Sequence, residues 1–142
     1  MHMARQATSL FEMVGLVVVK FNTINFKMNR LVTRYAWKLE DTPTAGLTKT
    51  LSDLLSPHDK LEILRRSKSL MGLSDQILDD IQTLLDIRAN FCFALEQEEG
   101  QGSFSFFYSD NLKQPGLTPE LQYELFMERY ERINSELDTK LA

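Results

Sequence analysis

The chain has 142 residues and a net charge of −4, with 43% hydrophobic and 25% charged residues. This composition is typical of one globular domain and excludes disorder over the whole length. A single cysteine excludes an internal disulfide, and the most apolar run, residues 13–19, is far shorter than the roughly 20 residues that cross a bilayer. We therefore expect one domain, residues 1–142, in the cytoplasm and without membrane contact. Residues 1–7 are expected to be disordered or derived from an expression vector.

The first predicted element is one long N-terminal helix, because apolar residues recur along a single seam with spacings of 4, 3, 4, 3, 4, 3 and 4. A second apolar row beside the seam predicts several packing neighbours. Thr8 or Ser9 is the expected N-cap, and residues 41–43 are the expected stop, giving about 30 residues. The seam consists of Leu10, Val14, Val17, Phe21, Ile24, Met28, Leu31 and Tyr35, and the second row of Phe11, Val18, Val32 and Leu39.

Two short helices and a second major helix are predicted in the middle of the chain. Ser56 and Pro57 begin a helix that runs towards Gly72, its expected C-terminal cap. Ser74 is the expected N-cap of the second major helix, which keeps a spacing of 3 or 4 from Ile77 to the end near residue 100. The helix before Ser56 is indicated by Leu47, Leu51, Leu54 and Leu55.

The last predicted helix begins at Thr118-Pro119-Glu120, where an N-cap, a proline and an early acid stand in order. A loop from Gly100 to Gly116 precedes it. The sequence therefore predicts an all-α, up-and-down bundle of about five helices. The loop carries Phe104, Phe106, Phe107 and Tyr108, which we expect to cover the bundle end; the alternative is stacking on bases. Inward positions of the last helix are Leu121, Leu125, Phe126, Tyr130, Ile133, Leu137 and Leu141.

Charge is distributed unevenly between the two halves of the chain. Residues 1–70 carry 11 basic and 6 acidic side chains, whereas residues 71–142 carry 5 and 14. We expect helices from the two halves to pair their charged faces; the alternative is a basic surface for an anionic partner. A basic stripe on the long helix, which could follow a phosphate backbone or pair with the acidic half, consists of Lys27, Arg30, Arg34 and Lys38.

The sequence contains few of the residues that most often act in catalysis or bind metals. Apart from His2 the only histidine is His58, and the only cysteine is Cys92. No catalytic triad and no zinc site can be built from these, and we expect neither a metal nor a cofactor. Acidic residues on the second major helix are interpreted as a solvated face rather than a cation site: Asp75, Asp79, Asp80 and Asp86.

Arg88 and Asn90 stand out because they interrupt an otherwise apolar helix and require partners. The simplest expectation is that Arg88 extends towards water while Asn90 is exposed or bonds the previous turn. Together with the helix order, this region resembles the HEPN-like superfamily of helical domains, which includes RNase toxins, non-catalytic members and mannitol-repressor-like relatives. The resemblance covers most of residues 9–141 and lies in Phe11, Phe21-Asn22-Thr23-Ile24, Asp59-Lys60-Leu61-Glu62-Ile63-Leu64 and Ile87-Arg88-Ala89-Asn90-Phe91.

The resemblance implies that active members have a metal-free RNA-cleaving site formed across a dimer. In that site an arginine is followed directly by asparagine and then by a histidine. Arg88 matches the arginine, but Asn90 comes one place late and the histidine position falls near Phe93. The expected proton-transfer group is therefore missing, and such groups contribute about 10²–10⁴ in rate. Asn25 is the only counterpart of the polar residue in the family's first helix.

The resulting expectation is a non-catalytic, homodimeric interaction module that binds protein, with Arg88 and Asn90 near the subunit interface or a shared cleft. The first alternative is a nucleic-acid-binding or regulatory protein that uses the basic stripe. The second is an RNA-cleaving enzyme that has replaced the missing histidine.

Overall fold

The computed structural model describes residues 9–36, 54–101 and 118–142, with side chains for residues 9–35, 54–92 and 118–142. The predicted all-α bundle is confirmed, and every regular element in these ranges is helical. Helix α1 spans Leu10–Leu31 and continues as a π-helical segment, Val32–Ala36; α2 spans Pro57–Arg66, α3 Lys68–Met71, α4 Asp75–Gln101 and α5 Pro119–Leu141.

The predicted helix caps are confirmed. At the start of α1, Ser9 Oγ accepts a hydrogen bond from the backbone N–H of Glu12 at 3.0 Å. Gly72 ends α3 with φ +70°, a left-handed conformation that glycine adopts without steric cost. The caps Ser56, Ser74 and Thr118 accept in the same way from Asp59, Ile77 and Leu121 at 3.1, 3.2 and 3.2 Å.

The middle of the chain differs from its prediction. The single helix expected from Pro57 to Gly72 is divided at Ser67, whose N–H is shared between the carbonyls of Ile63 and Leu64. Leu54 lies in a turn and is exposed rather than helical. Leu55 lies in a bend before α2 and is not helical either. The other two leucines of that predicted helix, Leu47 and Leu51, lie outside the described residues, as do Leu39, the expected stop at residues 41–43 and the aromatic residues 104–108. Helix α4 continues through Gln101, beyond its expected end.

Helices α1, α4 and α5 pack against one another and enclose the core. Helices α1 and α5 run in the same direction, because Lys20 lies over the ring of Tyr130 and Lys27 binds Asp138 further along both helices. Helix α4 runs the opposite way, since its first half contacts the second half of α5 and its second half contacts the first. The up-and-down arrangement follows from these pairings.

The predicted seam of α1 is confirmed, because its members from Leu10 to Leu31 are buried and Tyr35 is partly buried. The second row is only partly correct: Val32 is fully buried and Val18 half-buried, but Phe11 is 55% exposed. Helix α2 contacts the π-helical segment and reaches α1 at Asn25, so it covers the C-terminal half of that row and leaves the N-terminal end open.

The register of α5 was predicted correctly from Leu125 onwards, where Leu125 is partly buried against the core, and wrongly at Leu121. Phe126, Tyr130, Ile133 and Leu137 are buried, whereas Leu121 is exposed and Gln122 and Tyr123 take the inward positions. The inward row therefore continues the 3–4 spacing back to Tyr123, a signal that the leucine at 121 obscured.

Candidate functional site

Arg88 lies on α4 with its guanidinium carbon 5.2 Å from the centroid of the Phe21 ring on α1. A guanidinium over an aromatic face is attracted by the negative charge of the π system. Arg88 is half-buried, and its Nε has no hydrogen-bond partner within the described part of the chain. The ring of Phe21 therefore supplies the described partner of this cation.

Asn90 is buried and does not lie at an open surface of the single chain. Its Nδ2 donates a hydrogen bond to Gln122 Oε1 at 3.2 Å, and Gln122 is fully buried on α5. The expectation that Asn90 is exposed or bonds the previous turn is wrong, because the partner comes from a helix 32 residues away. Asn90 and Gln122 thus join α4 to α5 as a neutral pair.

The basic stripe lies largely against the C-terminal half of α5. Lys27 Nζ is 2.5 Å from Asn134 Oδ1 and 2.6 Å from Asp138 Oδ1, and Arg34 donates to the carbonyl of Leu141 at 3.0 Å. Cations near helix C-terminal carbonyls are favourable because they oppose the helix dipole. Arg30 is half-buried in the last turn of α1, and Lys38 lies outside the described residues.

Charge pairing between the two halves of the chain is what the structure shows. Besides Lys27 and Asp138, Arg65 approaches Asp79 at 3.5 Å and Lys68 binds Asp75 at 2.6 Å. The hydrogen bond and the positive charge of Lys68 lower the pKa of Asp75 below its usual value.

The prediction that the acidic residues on α4 form a solvated face is wrong for Asp80. Its carboxylate, 2% exposed, accepts two hydrogen bonds from the guanidinium of Arg132 on α5, at 2.8 and 2.9 Å. Gln76 donates a third at 3.0 Å, and Arg129 Nε lies 3.3 Å away. Burial of this carboxylate is compensated because α5 supplies its charged donors, and the carboxylate raises the pKa of Arg132 by its hydrogen bonds and its charge.

A second buried polar contact joins α1 to α2. Lys60 on α2 is almost fully buried, and its Nζ donates to Asn25 Oδ1 at 3.1 Å. Asn29 and Thr33, one and two turns further along α1, are buried as well. Asn25 therefore helps to hold α2 in place, and sequence reasoning did not identify Lys60 as its partner.

The groups that most often do chemistry in proteins are scattered. His58 is exposed in the first turn of α2, and Cys92 is exposed and reduced on α4. Within the described residues, no three His, Cys, Asp or Glu side chains come together in a way that could hold a metal ion. Nor is any described helix long and apolar enough to cross a membrane.

The largest departure from the expected pattern of burial is a row of exposed apolar residues along α1, which we call the outer face. Phe11, Val19 and Phe26 are 55%, 63% and 52% exposed. At 100° per residue these three positions lie within a quarter turn of one another. Gly15, Val18 and Asn22 lie among them on the same side of α1. The outer face was missed because Phe11 and Val18 were assigned to the buried second row.

Comparison with known proteins identifies no relative of this chain. No protein-family model, no curated protein and no solved structure matches the chain. The residues themselves therefore carry the functional argument.

The described site residues fall into two groups. Arg88, Asn90 and Asp80 act inside the bundle, where they hold α4 against its neighbours. The outer face of α1 is the part of the described surface where large apolar side chains share one helix face. An exposed face of this kind is suited to binding another apolar surface.

Proposed function

We propose that the chain is a non-catalytic helical interaction module that works as a homodimer through protein–protein contact in the cytoplasm. The outer face of α1 carries the proposal, because two phenylalanines and a valine on one helix face are more than half exposed. Contiguous exposed apolar residues mark interaction sites more often than isolated ones do.

Membership of the HEPN-like superfamily is part of the proposal. It is supported by the order of the elements: a long first helix, short middle helices, a helix that carries Arg88, and a final long helix. Arg88 and Asn90 at a shared cleft remain a prediction. In the single chain Asn90 already bonds Gln122, so its proposed role is to set the position of α4 beside such a cleft.

Light scattering combined with size-exclusion chromatography tests the proposal. At tens of micromolar we expect a mass of twice 16.4 kDa that falls towards one chain on dilution. A strict monomer throughout this concentration range would contradict the homodimer.

The non-catalytic part of the proposal needs a separate assay. Incubation with single-stranded RNA is expected to leave the RNA intact for both the wild type and Arg88→Ala. Cleavage by the wild type that Arg88→Ala abolishes would show an enzyme. Gel shifts at 50 and 200 mM salt address the nucleic-acid alternative, since phosphate binding through the basic stripe weakens steeply over that range.

A further inference from the structure

We draw no further inference here: the strongest candidate, the row of exposed apolar side chains along the outer face of α1, carries none, because nothing in the structure shows what covers it.

Discussion

Replacement of Asp80 by asparagine tests whether the buried carboxylate holds α4 to α5. The substitution keeps the shape of the side chain but removes its charge and turns one oxygen acceptor into an N–H donor. That donor would face the guanidinium of Arg132, which now donates two hydrogen bonds at 2.8 and 2.9 Å. At least one of those bonds is therefore lost.

The expected loss of stability follows from the burial of each partner. Removal of one member of a fully buried ion pair costs about 3–5 kcal/mol, because the other charge is left without compensation. Here Asp80 is 2% exposed but the Arg132 side chain is 44% exposed, so the arginine regains water after the change. We therefore expect about 2–3 kcal/mol, the range for lost hydrogen bonds to a charged group.

Urea unfolding followed by circular dichroism measures this effect. With a denaturant slope of about 1–3 kcal/mol/M, the midpoint should fall by roughly 1 M. Asp79→Asn is the matched control, because Asp79 is the preceding residue but is exposed and lies 3.5 Å from Arg65. Its expected cost is below about 0.5 kcal/mol. Equal midpoints for the two variants would refute the role assigned to Asp80.

Three further changes have expected outcomes. Gly15→Ala should stabilise the monomer by about 0.5–1 kcal/mol in dilute solution, since the added Cβ meets no atom within 4 Å; a loss of stability would show that the position is crowded. Asn90→Ala should cost about 1–3 kcal/mol, because the buried amide of Gln122 loses a partner. In a double-mutant cycle with Gln122→Leu, additive costs would deny their coupling. Lys68→Gln should raise the pKa of Asp75 in a carboxyl NMR titration, because the hydrogen bond and charge that lower it are removed; an unchanged pKa would contradict the assigned cause. Because the folded pKa is depressed, the stabilisation from Asp75 is fully present above its unfolded pKa of about 4 and is lost as the pH falls from there through the lower folded pKa.

The candidate site was predicted less well than the fold. The aromatic partner of Arg88 and the amide partner of Asn90 come from other helices, and no local pattern relates Phe21 to Arg88 or Gln122 to Asn90. Asp80 is the clearest case: the preceding Asp79 is acidic and exposed, yet a guanidinium 52 residues away makes the burial of Asp80 favourable. The sequence did contain one signal for the burial of Asp80: this polar residue lies on the same 3–4 row as Ile77 and Ile81.

Local sequence patterns also could not predict which residues along the sides of a helix remain exposed. Phe11 and Val32 belong to the same apolar row, yet one is exposed and the other fully buried. The difference fits the position of α2, which contacts the π-helical segment and binds Asn25 in the C-terminal half of α1. Apolar periodicity indicates that a helix has a buried face, but the width of that face depends on how many neighbours cover it.

The amino-acid sequence by itself determined where the helices begin and which seam of α1 turns inward. Caps such as Ser9 and Gly72 act over three or four residues, and a 3–4 repeat defines a stripe on a helix whatever its surroundings. Only the tertiary structure decided that Asp80 is buried, that α1 ends in a π-helical segment, and that the outer face remains exposed. Burial of a side chain is a property of the elements packed around it, and those elements come from distant parts of the chain.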